Sequence, residues 1–299
     1  MSSITASPPT KKVTNMLLVS TVRRMQAESR SWQKKGFSIG LVPTMGYLHE
    51  GHLALIKKAA KSCDRMIVSI FVNSLQFGPS EDFECYPRDM KRDRALCLKA
   101  SVDALFVPSA KEMYPPDFQT YVEVEKLSQE LEGAARPGHF RGVATVVAKL
   151  FNTCLPNITY FGQKDYQQAV VIKRMVAELN FPVKIVVCPT VRERSGLAAS
   201  SRNSYLGESE RRKAAVLHRA LQLGAEKWKV SVPVEEVIRI VKDYIRNHSS
   251  FEVDYVLASD PKTLLPVLEP GRPAVLSLAA RLGKVRLIDN ILVNARKKA

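Results

Sequence analysis

The strongest constraint on this chain is an alternation between short, unbroken apolar runs and amphipathic stretches. Residues 65–73, RMIVSIFVN, are apolar almost throughout. A strand with one wet face alternates apolar and polar side chains, so an unbroken run fits a strand covered on both faces, as in a parallel sheet. Residues 37–45 (FSIGLVPTM), 102–109 (VDALFVPS), 158–162 (ITYFG) and 182–191 (PVKIVVCPTV) share that texture. Helical patterns at 52–63, 88–101, 142–154 and 165–180 separate them, and residues 17–35 read as a further helix with Thr21 as a candidate N-cap. The expectation is an α/β fold with a doubly wound parallel sheet and right-handed crossovers. Beyond residue 190 the texture changes. A long helix across 201–228 and another over 234–246 precede short apolar runs at 251–259, 273–283 and 285–293, which reads as a smaller α+β unit. The expected division is a tail at 1–13, a first unit at 14–189 and a second at 190–299.

Open α/β sheets bind ligands beyond the carboxyl ends of their strands. The segments PTMGYLHEGH, NSLQFGPSEDF and FGQKD fall there, which favours a small-molecule site over a pure interaction module. The net charge of +16 draws anions. Lys and Arg are spread along the chain without a zinc finger or an aromatic RNA motif, so an anionic substrate fits better than a specific nucleic-acid partner. No apolar run approaches the roughly 18 residues of a membrane helix, and no membrane partner is expected. Five scattered cysteines without a CxxC pair suggest free thiols in a reducing, cytoplasmic setting and argue against structural zinc. Residues 1–12, MSSITASPPTKK, lack the apolar core of a secretory signal and read as a disordered tail; their Ser/Thr content and lack of acids also fit an organelle transit segment.

The segment LVPTMGYLHEGH, residues 41–52, carries two of the five histidines three positions apart, where an apolar run meets a helix. Gly46 permits a tight turn, and Gly51 opens a helix whose free N–H groups and dipole favour an anion. His49 and His52 can donate to phosphate oxygens there. A zinc reading needs three or four ligands, and the spacing is HExH rather than the HExxH of zinc proteases. An ordinary capping role is the bland alternative.

The HxGH form resembles that of class I aminoacyl-tRNA synthetases and related nucleotidyltransferases. With VSIFVNSLQFGPSEDFECYPR, LEGAARPGHFRGVATVVAKLFN, YFGQKDYQQAVVIKRMVAELN and GLAASSRNSYL, in this order and spacing, the chain resembles the pantoate–β-alanine ligase family over residues 14–293. The resemblance implies a Rossmann-like first domain with a small hinged C-terminal lid, a homodimer, and ATP-dependent joining of pantoate to β-alanine through a pantoyl adenylate, with AMP and pyrophosphate released and Mg²⁺ accompanying ATP. It implies an ATP site made of Met45, Gly46, Tyr47, Leu48, His49, Glu50, Gly51 and His52, of Gly162, Gln163, Lys164 and Asp165, and of Val191, Ala199, Ser200, Ser201 and Arg202. His52 would be the general acid, with His49, Lys164 and Arg202 beside the phosphates. Gln76 and Gln168 would bind pantoate or β-alanine, with Asn73, His139 and Arg141 as further candidates near them. No side-chain metal site is implied.

Adenylation suits this residue set. A carboxylate oxygen leaves poorly; converting it to a phosphate leaving group lets an amine attack, and the charged phosphorus centre calls for fixed cations and N–H donors. Bland readings exist for each segment: a strand running into a turn at 71–77, an N-cap at Asp165, a cap at Ser200 or Ser201. The sequence departs from the family pattern at Ser74, where proline is usual, at Ser195, where an acid is usual, and at Ala199; Gln163 is a familiar variant of a glutamate. Loss of the proline predicts a looser turn, and Ser195 removes a carboxylate beside the phosphate clamp. Two other functions fit parts of the pattern: another HxGH nucleotidyltransferase, or a basic nucleic-acid-binding protein on a disabled synthetase fold.

Overall fold

The computed structural model describes residues 16–79 and 81–294. The expected tail or transit segment at 1–13 lies outside them. Six strands form one parallel sheet: β1 (Leu17–Val19), β2 (Ile39–Thr44), β3 (Arg65–Ile70), β4 (Ala104–Phe106), β5 (Ile158–Gly162) and β6 (Lys184–Cys188), in the order β1-β4-β3-β2-β5-β6. The helix expected over 17–35 is shorter than that. Leu17–Val19 is an edge strand paired with Ala104–Phe106, and α1 (Val22–Lys34) begins after Thr21, whose hydroxyl accepts from the Arg24 N–H at 3.4 Å. Three apolar residues are too few for periodicity to separate a strand from a first helical turn.

Helices cover both faces. Ile39, Leu41 and Ile67 point to one face with α1, α6 (His139–Cys154) and α7 (Tyr166–Glu178); Val42, Met66 and Val68 point to the other with α2 (Glu50–Ala60) and α3 (Met90–Lys99). This double cover is why the strands read as unbroken apolar runs. Two short helices, α4 (Ala110–Met113) and α5 (Glu132–Ala135), lie in the connections.

The sheet reverses its winding between β2 and β5, and the two strands part early. β2 pairs with β3 from Ile39 to Thr44 but with β5 only at Gly40 and Leu41. The Ile39 carbonyl accepts from Asn157 on the β5 side, so by alternation Pro43 also faces β5. Its missing N–H therefore costs no ladder bond where the strands have already diverged. A crevice opens at this switch point.

The remaining strands, β7 (Glu252–Ser259), β8 (Ala274–Leu282) and β9 (Val285–Val293), form an antiparallel sheet packed on helices around the buried Trp228. The single long helix expected at 201–228 is a 3₁₀ turn (Ser201–Tyr205) followed by α8 (Glu208–Ala214) and α9 (Val216–Lys229). The charged α8 buries only Ala214, whereas α9 buries a continuous apolar stripe, and Ala215 separates the two. The last helix, α10 (Val234–His248), packs against α9 and β7. No helix among the described residues is long and apolar enough to cross a membrane.

Candidate active site

The crevice holds a cavity of about 960 Å³ bounded by the ends of β2, β3 and β5, the 189–205 segment and one face of the small sheet. At its floor His49 is the N-cap of α2. The His49 Nδ1 accepts from the Gly51 N–H at 3.1 Å, and the His52 Nδ1 accepts from the His49 N–H at 3.3 Å. This is a reciprocal cap built from two imidazoles, 4.0 Å apart between ring centroids. The bland capping role is thus real, and it has a chemical consequence. With both Nδ1 atoms accepting, each neutral ring carries its proton on Nε2. Burial, with Lys164 and Arg92 beside it, lowers the His49 pKa from 6.5 to about 4. Burial and the neighbouring His49 and Lys164 hold His52 well below the usual histidine range. Both rings are therefore neutral Nε2–H donors at pH 7.

The turn after β3 carries the amide group. Ser74–Gln76 is a 3₁₀ turn closed by the Phe77 N–H donating to the Ser74 carbonyl at 3.2 Å, so Ser74 in place of proline still gives a closed turn. Asn73 is buried and fully used: its amide nitrogen donates to Gln76 Oε1 at 2.9 Å and to the Gly142 carbonyl at 3.1 Å, and its oxygen accepts from Tyr114 at 2.7 Å. It aims Gln76, which reaches Met45 Sδ at 3.3 Å. His139 is committed in the same way. Its Nε2 accepts from Arg136 at 3.1 Å, so its Nδ1–H donates to the Gln76 carbonyl at 2.7 Å. Burial and the Arg136 charge lower its pKa to about 4. Arg141 stacks over Tyr121 at 4.0 Å, lining a separate small cleft.

Across the crevice, Asp165 stands at the N-cap of α7 but makes no side-chain cap; its carboxylate meets Lys164 Nζ at 3.2 Å. Burial pushes this carboxyl up, and the Lys164 charge and hydrogen bond, with the Arg202 charge, outweigh it and hold it ionised below the usual range. Gln168 lines the cavity, whereas its neighbour Gln167 is buried and ties down residues 127–132. Ser200 caps the 3₁₀ turn by accepting from the Arg202 N–H at 3.3 Å, and Ser201 donates to the Tyr47 carbonyl at 3.3 Å. Arg202 grips Asp82 with two bonds of 2.9 and 2.7 Å.

The sequence profile of the pantoate-beta-alanine ligase family matches residues 17–292. The chain belongs to that family. A pantothenate synthetase of Moorella thermoacetica is 52% identical over 93% of this chain and 99% of its own length. A crystal structure of pantothenate synthetase from Thermus thermophilus superposes with a TM-score of 0.88 at 48% identity, covering 93% of this chain and 100% of that one. A pantoate-beta-alanine ligase from Francisella tularensis, crystallised with beta-gamma ATP and beta-alanine, gives 0.78 at 36% identity over 93% and 98%.

Within this ligase the cavity wall includes Met45, His49, Gly51, His52, Asn73, Gln76, His139, Gly162, Lys164, Asp165, Gln168, Val191, Ala199, Ser200, Ser201 and Arg202. Gly46, Tyr47, Leu48, Glu50 and Gln163 stand behind it. Leu48 is wholly buried in the core, Glu50 faces solvent, and the Gln163 carbonyl accepts from Asn290 at 3.0 Å. Ser195 accepts from the Leu197 N–H at 3.3 Å, and the nearby Glu193 carboxylate accepts from Asn203 at 2.9 Å and Arg211 at 2.7 Å. Sequence reasoning missed the charged frame: Glu81 held by Arg136, Asp82 held by Arg202, and Glu132 held by Arg286 and Tyr255. The acidic pair in PSEDF was the available signal for the first two.

Proposed function

We propose that this ligase seats ATP between the His49–His52 corner and Lys164, transfers AMP to the pantoate carboxylate, and passes the pantoyl group to β-alanine. The observation that carries the reading is the pair of neutral Nε2–H donors at the N-terminus of α2, facing a lysine across a switch-point crevice. A pantoate oxygen attacks the α-phosphorus and pyrophosphate leaves; the β-alanine amine then attacks the acyl carbon and AMP leaves. His49 and His52 donate to oxygens that gain charge at phosphorus, and Lys164 offsets that charge. A bound phosphate raises the histidine pKa values, so His52 gains acid character only with ATP present. Arg202 exchanges Asp82 for the outer phosphates, with Ser200 and Ser201 beside it. Val191 borders the adenine. Gln76, aimed by Asn73 and His139, and Gln168 hold pantoate.

Among the described residues no group of three or more His, Cys, Asp or Glu side chains is placed to hold a metal. Mg²⁺ would enter on substrate phosphates with one or two carboxylates, and Asp82 and Asp165 at the wall would supply these. When bound, the ion neutralises phosphate charge. A first domain at 14–189 under a C-terminal lid at 190–299, a homodimer and a cytoplasmic setting complete the reading.

The test is product analysis. The purified chain with ATP, Mg²⁺, pantoate and β-alanine is expected to release AMP and pyrophosphate, and omitting β-alanine is expected to leave a bound pantoyl adenylate. Absence of pantoate-dependent AMP would overturn the assignment.

A further inference from the structure

A buried carboxylate outside the cavity holds the histidine corner in shape. Asp93 lies on α3 and is 1% exposed. Its two oxygens accept from consecutive backbone N–H groups: Oδ2 from Tyr47 at 2.7 Å and Oδ1 from Leu48 at 2.7 Å. Those residues form the turn between β2 and His49. Gly46 and Tyr47 both have positive φ, +86° and +51°, and only the glycine takes it freely, so the turn is unfavourable at Tyr47. For a tyrosine that conformation carries a steric cost, which surrounding contacts have to offset.

The contacts converge on Tyr47. Asp93 takes its N–H, Ser201 donates to its carbonyl at 3.3 Å, and the Arg92 guanidinium lies over its ring at 5.1 Å. Gly46 is confined as well: a Cβ there would meet Asp93 Oδ2 at 3.2 Å. Two residues on, the His49 N–H fixes the His52 tautomer. An error in the Tyr47–Leu48 peptides therefore passes directly into both imidazoles.

We propose that Asp93 is a positioning residue for adenylation: by pinning the Tyr47 and Leu48 N–H groups it sets where the two histidine Nε2–H donors point. It touches no substrate. Its target is the first half-reaction, where phosphorus itself becomes five-coordinate beside the histidines; in the second, bonds change at the acyl carbon and the charge that AMP gains falls on the oxygen that bridged to it. This rests on the adenylation reading given above.

Asp93→Asn keeps the shape of the side chain but turns one acceptor into a donor facing an N–H. Two rates in the full chain test it: pantoate-dependent exchange of pyrophosphate into ATP, and transfer of the preformed pantoyl adenylate to β-alanine. A third readout is ¹⁵N NMR of the imidazoles, which reports whether each Nδ1 still accepts. The expected result is an exchange rate down about 100-fold, the scale of a 1 Å misplacement, transfer within about threefold, the general scatter of single contacts, and shifted Nδ1 signals from His49 and His52. Exchange at the wild-type rate with unmoved signals overturns the proposal, and so does an equal fall in both rates, which marks general damage. If Asp93→Asn alone does not fold, it is compared with its parent in a Tyr47→Gly background, where positive φ is free of steric cost; equal exchange rates there also overturn it. A wild-type chain without pantoate-dependent exchange, in which Asp93→Asn still moves the imidazole signals, would sink the adenylation reading and leave standing only that Asp93 orients the two imidazoles.

Discussion

Each imidazole at the floor of the crevice gives up one nitrogen to the backbone and leaves the other as an Nε2–H donor. The same bonding that caps α2 selects the Nε2–H tautomer. Replacing His52 with alanine removes both services, and the adenylation rate is expected to fall roughly 10²–10⁴-fold, measured as pantoate-dependent AMP release. The lowered pKa values also shape stability. In the unfolded chain histidine titrates near 6.5, whereas His49 and His139 titrate at about 4 in the fold and His52 lies well below 6.5. Between those values the unfolded chain binds protons that the fold refuses. Stability is therefore expected to be full above about pH 6.5 and to decline as pH falls toward about 4, with protons taken up on unfolding near pH 5. Urea titrations at pH 7, 6 and 5 measure that slope; a flat profile would contradict the assigned burial. The histidines were legible in the sequence because their spacing around Gly51 has a chemical meaning. Asp93 was not: within RDMKRDRAL it reads as one more solvated helix charge, and only the packing of α3 under the turn reveals its use.

Between elements, the Ser74–Gln76 turn and α6 touch backbone to backbone. A Cβ at Gly142 would come within 2.2 Å of the Leu75 carbonyl oxygen. Gly142→Ala is therefore expected to push the turn away, cost about 1–3 kcal/mol, and raise the KM for pantoate through a displaced Gln76; thermal melts and steady-state kinetics check the two parts. Ser74 is the opposite case. Asn73 before it is extended, at φ −82° and ψ 104°, and Ser74 is the first residue of the turn, a position and predecessor that suit proline. Ser74→Pro is expected to add about 0.4–1 kcal/mol of stability with unchanged turnover, read from denaturant midpoints. The parallel sheet and its flanking helices were legible because double burial leaves unbroken apolar runs. β1 was not, being three residues long, and neither was the break at Ala215, since α8 and α9 are both good helix formers and only burial separates them.

Across the whole molecule, the small sheet is fastened to the first 165 residues by charged and polar groups. Arg286 meets Glu132 at 2.6 and 2.8 Å, Tyr255 donates to the same carboxylate at 2.8 Å, and Asn290 donates to the carbonyls of Gln163 and Lys164 at 3.0 and 2.8 Å. Burial pushes the Glu132 carboxyl up, and the Arg286 bonds and charge more than reverse this, leaving it ionised below the usual range. Glu132→Gln is expected to cost about 3 kcal/mol, the low end for unpairing a buried charge, because Asp254 still faces Arg286. Hydrogen exchange of the β7–β9 amides would show the small sheet loosening first. None of this fastening was legible in the sequence, since its partners lie 123 to 154 positions apart. The parting of β2 from β5 bears on how the chain can be made hardier. The crevice exists because that ladder stops at Leu41 and the chain places a proline beyond it. A redesign that replaced Pro43 and zipped the strands together would gain hydrogen bonds by filling the reaction chamber. Heat tolerance and turnover thus compete for the same few peptide groups, and thermostable variants are better sought in surface helices, caps and loops.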